Sequence, residues 1–158
     1  MAAGAGLAVP ALIVHTLAAV IWVGGMFFAH QALRPAAAAL DLPLRLPLWS
    51  RVFDRFFAWV IAAIVLLLLS GYALVFGIYG GFAGLPIYVN LMQAFGIVMM
   101  LLFLHLYFAP WRRLRAALAQ QDWAEGGRQL GKIRTIVTIN LVLGLIVVAI
   151  AASGRYWS

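Results

Sequence analysis

Hydrophobic residues fill four long segments of the chain, at about residues 7–30, 56–78, 87–109 and 133–154. Each segment is close to the ~20 apolar residues that an α-helix needs to cross the hydrocarbon of a bilayer. Polar and charged residues concentrate between the segments. The pattern predicts an all-α integral membrane protein, a bundle of four transmembrane helices that forms a single membrane domain over residues 1–158.

The composition agrees with a membrane protein and narrows its chemistry. Of the 158 residues, 66% are hydrophobic and 9% are charged, whereas about a quarter of the residues in a soluble domain are charged. The chain has no cysteine. Disulfides, thiolate metal sites and c-type haem attachment are therefore excluded.

The basic residues are confined almost entirely to two of the connections. Those between the first two segments are Arg34, Arg45, Arg51 and Arg55, and those between or beside the last two are Arg112, Arg113, Arg115, Arg128, Lys132 and Arg134. Cytoplasmic connections carry the excess of Lys and Arg. We therefore expect a multi-pass membrane protein with these two connections in the cytoplasm and both termini on the outer side. The net charge of +7 is explained by topology, and no nucleic-acid partner is expected.

The two halves of the sequence resemble each other. A shift of 75 residues pairs His30 with His105 and Pro35 with Pro110, and a shift of 83 pairs Ser70 with Ser153. Repeats at a fixed offset indicate repeated structural units. The sequence thus predicts an internal two-fold repeat of helix pairs, in which spans one and three correspond.

Spans one and three each carry two polar residues at the same spacing. His15 and His30 are fifteen residues apart, as are Asn90 and His105. Fifteen steps of about 100° bring a residue back to within about 60° of its first angle, about 22 Å along the helix. An ionisable residue inside a span costs on the order of 2–3 kcal/mol, which makes such histidines candidates for function.

If the two spans face each other, these pairs predict a b-type haem protein. His30 and His105 would be the axial ligands of one haem, and His15 the ligand of an outer site where Asn90 leaves the opposite position open. The expected function is electron transfer or a small redox reaction, with quinone or another redox membrane protein as partner. No catalytic residue is predicted. Arg34, Arg112 and Arg113 would hold haem propionates, or only set topology and contact anionic lipid.

Copper is the alternative. Met26 lies one helical turn before His30, and a thioether with imidazoles from His15, His30 and His105 could bind Cu(I). A third interpretation is a structural subunit of a membrane complex, and a homo-oligomer remains open.

Other residues are expected to serve packing. Gly24 and Gly25 would let a macrocycle or a neighbouring helix approach closely, and Asn90 and Gln93 would join helices. The tryptophans and tyrosines near the span ends are expected to form interfacial belts; they include Trp49, Trp59 and Trp111.

Two stretches carry a family resemblance. Residues 15–30 read HTLAAVIWVGGMFFAH, and residues 99–113 read MMLLFLHLYFAPWRR. They resemble the CopD-like (copper-resistance D) family of bacterial membrane proteins over nearly all of the chain. This resemblance implies a copper-related protein of the bacterial inner (plasma) membrane, whose N- and C-termini are then periplasmic. The pattern of His15, Trp22, Gly25 and His105 is also similar, more distantly, to the four-helix bacterial protoporphyrinogen oxidase. That resemblance implies haem b and electron transfer to quinone, with a polar or basic residue near the outer end of the third span, where this chain has Asn90.

Overall fold

The computed structural model describes residues 2–157, with side chains from residue 6 onward. Within this part of the chain the regular secondary structure is helical, without strands. The α-helices are α1 (Ala2–Phe28), α2 (Arg34–Ala38), α3 (Leu42–Tyr79), α4 (Ile87–Leu106), α5 (Arg112–Ala119) and α6 (Trp123–Ser153). Four continuous rods, Gly6–Ala38, Leu42–Tyr79, Ile87–Ala119 and Trp123–Tyr156, are long and apolar enough to cross a membrane. The predicted four-helix membrane bundle is confirmed.

Short connections join consecutive rods and make them antiparallel. Residues 39–41 precede α3, which has a proline in its first turn and ends at Gly80 in the left-handed conformation, with φ of 70°. Glycine adopts this conformation without the clash that a Cβ atom causes. At the start of α6, the Asp122 side chain accepts a hydrogen bond from the Glu125 N–H and caps the helix.

The rods pack as two pairs. Helix α1 lies along α3, and α4 lies along α6, with further contacts from α6 to both α1 and α3. This arrangement agrees with the predicted repeat of helix pairs. Gly25 allows the close approach of α1 and α3, because the Phe56 ring occupies the position that a Cβ on Gly25 would need. Gly24, its neighbour, has no atom within 4 Å of that position.

Both repeats contain a π-helical turn near the corresponding proline. The first spans Ala29–Leu33 and the second Tyr107–Trp111. Proline has no N–H to donate and its ring crowds the preceding turn, so a wider turn accommodates Pro35 and Pro110. In the first one, the Arg34 N–H reaches back five residues to the carbonyl of Ala29, the hydrogen bond of a π-turn.

Aromatic side chains fill the interior toward the arginine-rich end. Phe53 stacks on Phe57 with ring centroids 5.1 Å apart, and Phe57 meets Phe103 edge-on at 5.5 Å. Trp49 and Trp111 are each 3% exposed. The prediction that these two tryptophans lie in an interfacial belt was therefore wrong: both belong to the core, because the helices continue beyond the apolar runs.

That continuation is confined to one end of the bundle. Helix α3 begins at Leu42, well before the apolar run near residue 56, and α6 begins at Trp123 rather than near residue 133. The π-turns carry α1 and α4 on into α2 and α5. At the opposite end, α3 and α4 stop and start close to the limits of their apolar runs. We call the extended, arginine-rich part of the bundle the basic end.

Candidate functional site

One face of α1 carries the polar and sulfur-bearing residues of the first span. Ala18, Trp22 and Met26 on this face are 1%, 3% and 2% exposed, which shows that the face is turned into the bundle. His15 and His30 are half-buried at its two ends. We call His15, Trp22, Met26 and His30 the inner stripe of α1.

His15 is fixed against α3. Its Nδ1 lies 3.0 Å from Ser70 Oγ, and the Ser70 hydroxyl donates to the Leu66 carbonyl. Ser70 therefore accepts from Nδ1–H, and Nε2 keeps the lone pair that binds metals. Gly71 makes room for the ring, since a Cβ there would stand 3.2 Å from His15 Cε1.

His30 sits in the first π-turn, beside a small cavity at the basic end. A guanidinium N–H of Arg34 lies 3.4 Å from His30 Nε2. Arginine only donates, so Nε2 accepts and the ring proton is on Nδ1. The cavity has a volume of about 30 Å³ and is also lined by Trp49, Phe56 and Arg134.

His105 lies at a different cavity. Its side chain is exposed and lines a space of about 350 Å³ together with Arg113, Gln129 and Lys132. The structure does not bring His30 and His105 to a common space. The physical reason is the pairing of α1 with α3 and of α4 with α6, which turns the two histidine-bearing faces to different neighbours.

The other predicted pair, His15 and Asn90, does not face each other either. Asn90 is exposed, and its Nδ2 donates to the carbonyl of Leu85 at 3.2 Å, within the turn that precedes α4. Its amide thus closes the start of its own helix and does not join α4 to another. Between the two histidine levels, Trp22 meets Phe103 at 6.4 Å between ring centroids, so aromatic rings occupy the space where α1 and α4 come together.

The predicted propionate-binding arginines are distributed over the basic end. Arg34 lines the small cavity beside His30, Arg113 lines the larger cavity beside His105, and Arg112 is exposed. They do not surround one shared site.

Sequence reasoning did not single out Asn140 for function. It is 2% exposed, and its Nδ2 donates to the Met99 carbonyl of α4 at 3.1 Å. The available signal was a lone amide within the apolar run of α6. Trp49 and Arg134, which line the cavity beside His30, were assigned only to the membrane interface and to topology.

The family model of copper resistance protein D, CopD, matches residues 50–153. The chain belongs to the CopD family. This confirms the predicted CopD-like family and identifies a multi-pass membrane protein of a copper-resistance family. Of the two stretches that carried the resemblance, residues 99–113 lie within the match and residues 15–30 lie outside it. No curated protein and no solved structure matches the chain.

The donor set of this CopD-family protein limits how a metal could be bound. The described residues contain no group of three or more His, Cys, Asp or Glu side chains that could hold a metal ion. A site with three or more imidazole and carboxylate ligands is therefore not formed among the described residues. The inner stripe offers separate donors instead of one ligand set: the Met26 thioether lies one turn from His30 and about 16 Å along the helix from His15, and soft thioether ligands suit Cu(I). Nothing in the family match supports haem b.

Proposed function

We propose that this CopD-family protein binds Cu(I) as its substrate and passes it along the inner stripe of α1. The observation that carries the proposal is that His15, Met26 and His30 lie on one bundle-facing stripe of the first span. Family membership supports copper over haem as the metal. The haem interpretation needs the histidine-bearing faces of α1 and α4 to lie opposite each other, and α1 and α4 do not pack along each other.

The inner stripe has the chemistry for transient binding. Met26 supplies a soft, polarisable sulfur, and His15 supplies a nitrogen whose tautomer is fixed by Ser70. Hydrogen bonding to the second ring nitrogen orients a ligand histidine and raises its basicity. Successive weak sites favour passage of an ion, because each site must bind well enough to accept the ion and weakly enough to release it.

The charge pattern supports an orientation. With the basic end in the cytoplasm, the termini are periplasmic and the protein lies in the bacterial inner membrane. His15 is then the ligand nearer the periplasm. His30 is the one nearer the cytoplasm, and its Nε2 would bind Cu(I) in place of the hydrogen bond that it accepts from Arg34. We expect neither quinone nor a redox protein as a partner, and the oligomeric state is open to direct measurement.

Copper binding to the purified protein tests the proposal. Protein in mild detergent is titrated with Cu(I) under reducing conditions against a chromophoric Cu(I) chelator. We expect retained Cu(I), and affinity reduced about tenfold or more in Met26→Leu and in His15→Ala, the loss expected when one ligand is removed. Met100→Leu is the matched control for the thioether, and His105→Ala tests whether the third histidine belongs to the site.

The absorption spectrum of the same preparation tests the haem alternative. A reducible b-type haem spectrum without Cu(I) binding would favour electron transfer through His15, His30 and His105, with Arg34 and Arg112 at the propionates. Protein that binds neither haem nor copper would favour a structural subunit of a membrane complex.

A further inference from the structure

The larger cavity, beside His105, opens at the basic end between the second π-turn and α6. Its volume is about 350 Å³, and its lining comes only from the segments 105–113 and 129–136. In the first helix pair, aromatic rings from α3 occupy the corresponding place and leave about 30 Å³ beside His30. The two halves of the repeat therefore differ here: the position is filled in the first pair and open in the second.

The lining of this cavity is apolar on one part and cationic on another. The cations are Arg113 from α5 and Lys132 from α6, and the apolar residues are Ala109, Pro110 and Ile136. The apolar run of the third span ends near residue 109, and that of the fourth begins near residue 133. The cavity therefore straddles the level at which both rods leave the hydrocarbon, where lipid headgroups lie.

The cations of this cavity have no carboxylate beside them in its lining. Within residues 2–157, the one salt bridge joins Arg128 to Glu125, and the same carboxylate also accepts a hydrogen bond from Nε2 of Gln129. Among the described residues, Arg113 and Lys132 therefore have no ion-pair partner. An anion in the space that both of them line would offset the repulsion between their charges.

An anionic phospholipid matches both parts of the lining. The guanidinium of Arg113 can donate two parallel hydrogen bonds to phosphate oxygens, and basic pockets between membrane helices on the cytoplasmic side bind anionic headgroups. The neighbouring surface of α4 and α6 is apolar and exposed at Leu104, Phe108 and Ile139, where an acyl chain can lie. A free phosphate ion would use only the cationic part, and a zwitterionic lipid would bring an ammonium group toward the two cations.

We propose that the cavity beside His105 binds an anionic phospholipid, with the phosphate held by Arg113 and Lys132 and an acyl chain along the exposed apolar surface of α4 and α6. The His105 ring lines the same space and offers an N–H as a further donor. This site goes beyond the copper proposal and does not depend on it, because it uses no residue of the inner stripe of α1.

Lipid retention by the whole protein tests the proposal. The protein is reconstituted in nanodiscs of mixed phosphatidylcholine and phosphatidylglycerol, and the lipid that stays bound after release into detergent is identified by native mass spectrometry. We expect phosphatidylglycerol to be retained in preference to phosphatidylcholine, and retention without this preference would overturn the proposal. Inorganic phosphate is titrated in parallel against the melting temperature, with sodium chloride at matched ionic strength. A saturable response to phosphate without retained lipid would identify a site for the free ion and would equally overturn the lipid.

Variants test the cavity itself. Arg113→Gln and Lys132→Gln each remove one cation from its lining, and we expect each to lower the retention of phosphatidylglycerol about fivefold. Ala109→Trp fills the cavity without changing the charge and should also lower retention. Arg55→Gln is the matched control, because it removes a charge from an exposed position of α3 outside the cavity, and it should retain lipid like the native protein. Equal losses in Arg55→Gln and Arg113→Gln would mean that total charge retains the lipid, which would overturn the proposal. Elution of each variant as a single folded species in size-exclusion chromatography shows that lost binding is not lost folding.

Discussion

Two neighbouring glycines on α1 have opposite surroundings. Gly25 lies under the ring of Phe56 from α3, whereas Gly24 has open space where a side chain would be. Helices in a bilayer gain little from the hydrophobic effect between them, so close contact through small residues contributes much of their association. Of the two glycines that the sequence placed beside the inner stripe, Gly25 is therefore the one that serves helix packing.

Alanine at the two glycines should separate these roles. Gly25→Ala should lower the free energy of unfolding by about 1–3 kcal/mol, because the added methyl group collides with a packed ring. Gly24→Ala should be neutral or raise it by up to about 1 kcal/mol, since alanine favours the helix over glycine. Reversible unfolding in detergent measures both. If Gly24→Ala is the more damaging variant, the packing of α1 on α3 is incorrect.

Within residues 2–157, Asn140 makes the one buried hydrogen bond from a side-chain amide of α6 to α4. Polar bonds between membrane helices are worth about 0.6–2 kcal/mol, and we expect Asn140→Ala to destabilise the protein by about that amount. Thr138→Val is a control two residues away, because the Thr138 hydroxyl donates to a carbonyl of its own helix, that of Arg134. The same unfolding experiment compares them. An equal loss in Thr138→Val would mean that the contact between the helices is not the cause.

At the scale of helices, the choice of partners decides which residues can share a site. Helix α1 lies along α3, and α6 completes the contact at Gly144, where a Cβ would stand 2.8 Å from Cγ2 of Val23. His30 and His105 correspond in the sequence repeat, but they line separate cavities. A repeated sequence thus gives two similar helix pairs without making their equivalent residues neighbours.

Cross-linking can test the arrangement of the helices, here the contact of α1 with α6 at Gly144, because the chain has no cysteine of its own. The double variant Val23→Cys with Gly144→Cys should form a disulfide on mild oxidation in membranes, since bonding requires Cβ atoms about 3.5–4.5 Å apart. The double variant His30→Cys with His105→Cys should remain reduced. Mobility on denaturing gels, before and after reduction, reads out both. A disulfide between positions 30 and 105 would restore the arrangement that a shared haem requires.

At the scale of the whole molecule, lipid surrounds one part of the core and water surrounds the other. In the apolar windows of the four rods, 11–22% of the residues are buried inside the bundle, so most of their side chains face lipid. The most completely enclosed leucines, Leu46 and Leu114, are 0% exposed and lie at the basic end. The arginines of that end cannot lie in hydrocarbon. Beyond the apolar runs the rods project by about 12–21 Å at 1.5 Å per residue, and there water surrounds the same core.

Replacing buried leucines by alanine should lower the free energy of unfolding by different amounts in the two environments. Leu114→Ala at the basic end should cost about 2–5 kcal/mol, because the lost contacts add to the lost transfer of side chain from water. Leu141→Ala, which is 5% exposed within the lipid-embedded part of α6, should cost less, since lipid solvates leucine as well as the core does. Unfolding in lipid nanodiscs compares the two. Equal costs would indicate that both positions lie in one environment.

The sequence reveals much of the fold and less of the site, for identifiable reasons. Apolar runs mark where side chains meet lipid, so they locate the spans but not the ends of the helices. Helix α5 continues α4 but is rich in arginine, so hydropathy does not reveal it. The start of α6 is marked in the sequence by Asp122 followed by Glu125. The inner stripe of α1 follows from helical periodicity. The position of Trp49 beside Arg134 does not, because it depends on which helices pair.

The position of the water-exposed part of the core has a consequence for temperature. Hydrophobic stabilisation weakens on cooling, whereas packing between helices in lipid does not draw on water in the same way. The basic end, with Leu46, Leu114 and the cavity beside His30, should therefore loosen first in the cold, while the lipid-embedded part keeps its structure. At low temperature the two ends of a single bundle would therefore differ in stability.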